Sequence, residues 1–430
     1  MWPYEVPENW VWVKLDSVAE IATGGTPSKK KDEYYGGEFP FIKPADLDQG
    51  RNVLFASEYL SESGKAVARF VPKYSTSVCC IGTIGKCGFL EVDATTNQQI
   101  NSLIPRFNEL FLYYYCCTES FVNHLLSLAS ATTISIVNKG KMSTIPFPLP
   151  PLPEQHRIVT RIESLFTKLD RAKELAQAAL DRFETRKAVI LHQAFTGVLT
   201  AQWREAHGVG LDSWEERDLQ SVCLMKITDG THQTPTYSDQ ENGVPFISAK
   251  DVTTGQISLM KIKYIIPELH KELQKRVAPQ RDDVLLAKNG TTGVAAIVDM
   301  DLVFDIYVTL AILRPDTNCI IPRFLLRVVN SPVCKMQFDA NLTGIGVPNL
   351  HLRDIRAVKI PRPTLPEQQE IVRVLDSLLE KEQRARTLCE GVIGQVDLMK
   401  KAILARAFRG ELGTNDPAEA SAAGALGDAE

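Results

Sequence analysis

The segment Gly82-Thr83-Ile84-Gly85-Lys86 superficially suggests a phosphate-binding loop. Such a loop needs four residues between its glycines and a Ser or Thr after the lysine, so that backbone N–H groups cradle the phosphates and a hydroxyl reaches the metal. Here two residues separate the glycines and Cys87 follows the lysine, so the pattern is rejected. No GxGxxG opens a helix after a strand, and neither HExxH nor GxSxG occurs. A [DN]PP[FYW] tetrapeptide, expected of an amino-methyltransferase, is missing, because the sole Pro-Pro, Pro150-Pro151, follows Leu149. The seven histidines are dispersed, and the nine cysteines form no CxxC with a second ligand pair. Neither a metal site nor a disulfide framework is supported, and reduced thiols are expected.

What remains are polar loops punctuated by glycine. They are Thr23–Lys31 (TGGTPSKKK), Asp229–Pro235 (DGTHQTP), the turns around Thr83 and Thr291, the run Thr95–Gln99 and the segment Thr343–Asn349. Their Asn, Gln, Thr, Lys and His side chains offer donors and acceptors suited to base edges and phosphates. Taken singly, each loop reads as a turn closing a hairpin. Their paired occurrence at equivalent places in two repeats favours function.

The repeat is the strongest internal signal. Leu152-Pro153-Glu154-Gln155 recurs 213 residues later as Leu365-Pro366-Glu367-Gln368. In the same register, Ala194-Phe195-x-Gly197-x-Leu199 matches Ala407-Phe408-x-Gly410-x-Leu412, and about 40% of the whole ~50-residue segment, these motifs included, is identical. Both copies read as one long helix. The first has apolar residues at Ile158, Ile162, Leu165, Leu169, Ala172, Ala176, Ala179 and Phe183, a 4-3 seam. The second follows less regularly, with Glu382 on the seam and Gly391 and Gly394 weakening the helix by about 1 kcal/mol each. About 40 residues at ~1.5 Å per residue make a rod near 60 Å. A narrow seam needs a partner, and the other copy is the natural one; the competing reading is two helices packing separately on their own domains.

The chain of 430 residues is 44% hydrophobic, enough for sizeable cores. No apolar run is long enough for a transmembrane helix, and the start MWPYEVPENW does not read as a signal peptide, so a cytoplasmic protein is expected. The net charge of −4 is carried by the tail 413–430, which holds four acidic and no basic groups and reads as disordered. The folded part is close to neutral, so a nucleic-acid site would need local basic clusters such as Lys29-Lys30-Lys31 and a partner sharing phosphate neutralisation. The segments between the rods mix short β-rich runs with helical patches, an α+β class. The organisation expected is a globular domain at 1–150, a helix at 151–200, a second domain at 201–362, a second helix at 363–412, then the tail.

With these residues in view, the chain resembles the DNA-specificity subunit of type I restriction–modification systems. The carriers are Ala22–Lys29 (ATGGTPSK), Pro40–Leu47 (PFIKPADL), Gly82–Lys86, Ala94–Gln98 (ATTNQ), Asp229–Pro235, Val244–Val252 (VPFISAKDV), Leu285–Gly293 (LLAKNGTTG), Gly346–His351 (GVPNLH) and the twin LPEQ segments. The resemblance implies two target recognition domains related by duplication, each reading one half of a bipartite site in double-stranded DNA. It implies that the rods form an antiparallel coiled coil, place the domains about a pseudo-twofold axis and fix the spacer, at about 3.4 Å per base pair. The chain itself is then not an enzyme and carries no cofactor. Two adenine methyltransferase subunits using S-adenosylmethionine, and motor–nuclease subunits using ATP and Mg, are the implied partners in a bacterial or archaeal cytoplasm. The methyltransferase contact is expected on the outer faces of the rods. The DNA contacts implied are Thr26, Ser28, Lys29, Lys30, Lys43, Thr83 and Lys86 in the first domain. In the second they are Thr231, His232, Gln233, Lys250, Lys288, Asn289, Thr291 and Asn349. A repeat-built protein-interaction scaffold without sequence-specific DNA binding is the alternative; a self-sufficient DNA enzyme conflicts with the missing tetrapeptide.

Overall fold

The computed structural model describes residues 2–129, 135–252, 255–342 and 348–423. The chain divides into two compact units, Met1–Gln177 with Glu390–Glu430, and Ala178–Cys389. The divisions fall inside the long helices, so each unit holds one globular domain and stretches of both rods.

In the first unit, β1 (Val11–Lys14) pairs antiparallel with β9 (Pro146–Leu149) and closes the domain just before the first rod. Strands β2 (Ala19–Thr23), β5 (Thr76–Cys79), β6 (Cys87–Phe89) and β8 (Ile100–Pro105) form a sheet in the order β2-β8-β5-β6. A second sheet has β3 (Tyr35–Ile42) between β4 (Glu58–Leu60) and β7 (Thr95–Thr96), with β3 and β7 parallel. Helices Glu109–Cys116 and Glu119–Ser127 start where Asn108 and Thr118 side chains accept the N–H groups of Phe111 and Phe121. These caps satisfy helix-end donors that would otherwise be buried unpaired. The helices bring Phe111, Tyr115 and Phe121 into a core shared with Phe147 and Phe408. Phe408 lies 4.8 Å from Phe111, ring centre to ring centre, so the end of the second rod is part of this domain's core.

The second unit repeats the plan. Strand β10 (Glu215–Asp218) pairs with β19 (Lys359–Arg362). Strands β11 (Thr228–Asp229), β15 (Val284–Ala287), β16 (Ala295–Ile297) and β18 (Leu310–Leu313) follow the order β11-β18-β15-β16. Strands β12 (Tyr237–Ser238), β13 (Val244–Ile247), β14 (Lys263–Ile265) and β17 (Asp305–Ile306) form the other sheet, order β12-β14-β13-β17, again with one parallel pair, β13 and β17. The unbroken apolar runs Val284–Ala287 and Leu310–Leu313 have a physical reason. Strand side chains alternate faces, and both faces are covered: Val284, Leu286, Ala311 and Leu313 pack in one core and Leu285, Ala287, Leu310 and Ile312 in another.

The first rod is two helices, α1 (Leu152–Asp181) and α2 (Phe183–Phe195), where sequence predicts one. The break is at Arg182, and the guanidinium of Arg186 donates at 3.1 Å to the Ala179 carbonyl beside it. The second rod, α3 (Leu365–Ala407), runs unbroken through Gly391 and Gly394. In each unit the rods pair antiparallel, since residue numbers rise on one as they fall on the other. In the first unit Asp170 meets Lys400 at 2.5 Å and Lys173 meets Asp397 at 3.4 Å. In the second, Glu184 meets Arg386 at 3.7 Å and Arg186 meets Glu382 at 2.9 Å. Glu382, the charged seam residue, thus faces a cation. The seam is thin: Ile158, Ile162, Ala176, Phe183, Ile371, Leu375 and Val396 are buried, whereas Ala172 and Ala385 are exposed.

The twin LPEQ segments make the same joint twice. Gln155 accepts the Asn108 backbone N–H at 3.2 Å and donates to the Pro150 carbonyl at 3.0 Å. Gln368 accepts the Ile321 backbone N–H at 2.8 Å and donates to the Pro363 and Cys319 carbonyls. Each glutamine therefore ties the start of a rod to the helix N-terminus of its domain. Beside it, Glu367 is buried among donors from Thr200, Arg204 and Trp214. Glu154 is likewise buried and accepts from Arg157.

The tail departs from the expected disorder as far as Ala423. Thr414 donates to Glu154, Arg157 holds Glu419 through both nitrogens at 2.8 Å, Trp10 donates to Asn415, and Ala422 is buried. The reason is local complementarity: a buried carboxylate and an arginine at the start of α1 find a hydroxyl and a carboxylate in the tail. Residues 424–430 lie outside the described part. Among the described residues, no helix is long and apolar enough to cross a membrane.

Candidate nucleic-acid interface

Strand register gathers the polar loops. In the first domain, β2 ends at Thr23 opposite Asn101, while Cys79, the end of β5, lies opposite Ile100 at the start of β8. Strand β3 ends at Ile42 beside Thr96, the end of its parallel neighbour β7. The loop after β2, the β5–β6 turn, the β7–β8 link and the helical turn after β3 therefore leave from one end of the domain. The second domain repeats this, with Asp229 opposite Ala311, Ala287 opposite Leu310, and Ile247 beside Ile306.

Both domains need a glycine where the first loop crosses the parallel strand. A Cβ on Gly24 would sit 2.1 Å from the Asn97 carbonyl oxygen, and one on Gly230 would sit 1.9 Å from that of Ile306. The β5–β6 and β15–β16 turns also match, with φ +80° and +88° at Gly82 and Gly85 and +76° and +82° at Gly290 and Gly293. Side chains rarely adopt that left-handed region.

In the first domain, Thr26, Ser28, Lys29, Lys30 and Thr83 are exposed at this end. Thr26 hydrogen-bonds Gln98, and Arg69 donates to the Thr23 carbonyl, two supports the sequence reading missed. Tyr35 donates to the Pro27 carbonyl at 2.6 Å, and desolvation, then the Glu58 carboxylate, push its phenol above the ordinary range, keeping it a donor. Lys43 and Lys86 are half-buried. Lys43 pairs with Glu58 at 2.8 Å, and Lys86 with Asp48 at 2.6 Å while donating to the Pro44 carbonyl. A phosphate would have to compete with those carboxylates.

In the second domain, His232, Gln233, Lys250 and Thr291 are exposed, and Asn289 and Asn349 are half-buried and bridged across the loops. Two expected contacts are internal instead. Thr231 is buried with its hydroxyl accepting the Gln233 N–H, and Lys288 is buried with its ammonium 3.1 Å from Asp229. The cause is Asp229, a buried carboxylate at the end of β11 that also draws in His232 at 3.2 Å and Arg276 at 3.0 Å. A carboxyl group buried there needs such polar partners. Lys250, Asn289 and Thr291 do converge, on a cleft of about 460 Å³ shared with Tyr237, Lys263 and Tyr307. The Lys263 ammonium stands 4.2 Å from the centre of the Tyr237 ring. These three residues were not singled out in sequence because they lie between the glycine motifs. Residues 343–347, which include parts of the Thr343–Asn349 and Gly346–His351 segments, lie outside the described part. Among the described residues, no group of three or more His, Cys, Asp or Glu side chains could hold a metal ion.

The arrangement offers cations, amides, hydroxyls and, in the second domain, an aromatic wall at matching ends of two duplicated domains. Comparison with known proteins points the same way. The family model described as the type I restriction modification DNA specificity domain matches residues 7–179 and again 212–387. The EcoBI specificity subunit of Escherichia coli is 23% identical over 421 residues, covering 95% of this chain and 87% of that protein. The HindI specificity subunit of Haemophilus influenzae is 32% identical over 168 residues, 38% of this chain and 37% of its own length. The crystal structure of the HsdS subunit from Thermoanaerobacter tengcongensis superposes with a TM-score of 0.69 at 20% identity, covering 95% of this chain and 99% of that one.

Proposed function

The chain belongs to the type I restriction–modification DNA-specificity family, and from that premise we propose that each globular domain reads one half of a bipartite double-stranded DNA site. The observation that carries this reading is the duplicated sheet end, where equivalent loops meet over Gly24 and Gly230. Exposed Lys29 and Lys30 supply phosphate contacts, and Gln233, Asn289 and Thr291 offer base-edge donors and acceptors. The paired rods set the distance between half-sites. Their outer faces recruit two adenine methyltransferase subunits, and motor–nuclease subunits join that assembly. S-adenosylmethionine, ATP and Mg belong to those partners, and the complex works in a bacterial or archaeal cytoplasm. The near-neutral charge of the folded part fits an assembly in which partners share phosphate neutralisation.

A methylome of the native host, against a strain lacking this reading frame, tests the proposal. Loss of methyladenine at one motif of two short blocks around a fixed gap supports it. Exchanging residues 1–150 for another such domain should then change one half of that motif. A change in both halves contradicts the division of labour. Absence of sequence-dependent DNA affinity in the assembled complex favours a protein-interaction scaffold.

A further inference from the structure

In the first domain, Cys87 opens β6 and Cys117 caps the C-terminus of the helix Glu109–Cys116, and their sulfurs lie 3.5 Å apart. Both residues are of intermediate exposure. Cys117 also lines a cleft of about 550 Å³ with Arg51, Tyr113, Glu163 and Lys400, so a small reagent has a route to it. The two sulfurs are not equivalent. Cys117 shares a hydrogen bond with Cys87, and that contact, with one from the Tyr113 hydroxyl, holds its thiol below the ordinary cysteine value against desolvation. The same shared hydrogen bond, together with desolvation, pushes Cys87 well above that value. Nearby Cys116 is buried and pushed well up by desolvation, and Cys80 is pushed up to about 12.

We propose that Cys87 and Cys117 form a peroxide-sensitive dithiol in which Cys117 attacks and Cys87 resolves. The Cys117 thiolate displaces hydroxide from hydrogen peroxide: a sulfur–oxygen bond forms, the oxygen–oxygen bond breaks, and the hydroxide leaves as water with a proton. The Cys87 thiol then attacks the Cys117 sulfenic acid and gives up its proton to the departing hydroxide. A sulfur–sulfur bond forms, the sulfur–oxygen bond breaks and a second water leaves. Two thiols are oxidised and one peroxide is reduced. The attacking sulfur is the one that lines the cleft, and a resolving cysteine beside it prevents over-oxidation. The bond would fasten the turn carrying Thr83 and Lys86 to the end of the helix.

The test treats the reduced full-length protein with hydrogen peroxide, blocks remaining thiols and locates the products by tandem mass spectrometry, which separates Cys117 from Cys116. The expected product is a Cys87–Cys117 linkage formed before any other cysteine changes. Cys87→Ser should leave Cys117 as a sulfenic acid trapped by dimedone, and Cys117→Ser should leave Cys87 a thiol. The proposal is overturned if other cysteines oxidise first, or if Cys87 oxidises equally well without Cys117. Should a variant fail to fold, the wild-type linkage and its order of appearance decide alone.

Discussion

The Thr414 hydroxyl donates a 2.7 Å hydrogen bond to the Glu154 carboxylate, across 260 residues of sequence. In the second unit the same hydroxyl–carboxylate contact joins Thr200 to Glu367, also at 2.7 Å. A hydrogen bond to a charged group contributes about 1.5–3 kcal/mol. Thr414→Val should therefore lower the melting temperature of the first unit by several degrees, on a scale of roughly 2–4 °C per kcal/mol. Calorimetry checks this; an unshifted transition would detach the tail from the folded unit.

Acid should release the same tail. Arg157 holds the Glu419 carboxyl below the ordinary 4.5, so its contribution is complete above that pH and is lost as pH falls through the folded value. Glu154 has the opposite sign: desolvation raises its carboxyl, so its protonation favours the folded unit as pH falls through that raised value. Hydrogen-exchange protection over residues 414–423, taken relative to the intrinsic rate at each pH, should fall only below pH 4.5. Glu419→Gln should remove that step, and a step that persists would assign it elsewhere.

Glu367 is buried and bound by the Arg204 guanidinium at 2.7 Å. Breaking a buried pair by removing one partner costs about 3–5 kcal/mol, because the other charge is left uncompensated. Glu367→Ala should thus destabilise the second unit far more than Glu370→Ala, whose exposed partner Arg373 lies one turn on. Equal effects in urea titrations would show that Arg204 finds water instead.

Lys288 and the pair Lys29 and Lys30 should separate in DNA binding by the assembled complex. Replacing an exposed lysine that contacts phosphate reduces the salt dependence of binding by about one unit of slope. Lys29→Ala and Lys30→Ala should each do so. Lys288→Met should leave the slope intact and lower stability, because its ammonium serves Asp229. A reduced slope for Lys288→Met would place that ammonium at the phosphates.

The duplication, the rods and the glycine loops were legible because each rests on local pattern: a 213-residue register, a 4-3 seam, a turn needing positive φ. What escaped was decided by burial and by distant partners. Lys288 looks like an exposed lysine in a polar loop until Asp229, far away in sequence, claims it. The tail looks disordered by composition until Arg157 and Glu154 supply partners. The break at Arg182 carries no glycine or proline, whereas Gly391 and Gly394, which do weaken a helix, are carried through. Tyr237, Lys263 and Tyr307 lie on separate strands and loops and share a cleft only once the sheet has formed.

The joints at Gln155 and Gln368 have one more consequence. Their partners at the domain are main-chain groups: the N–H of Asn108 and the carbonyl of Pro150 in one, the N–H of Ile321 and the carbonyls of Pro363 and Cys319 in the other. A main-chain carbonyl is present whatever side chain stands there, and a main-chain N–H wherever proline is avoided. The fastening thus recognises the path of the chain and ignores its spelling. A lineage can rewrite almost every letter of a domain and still seat it on the same helix, provided the path at the seat is kept.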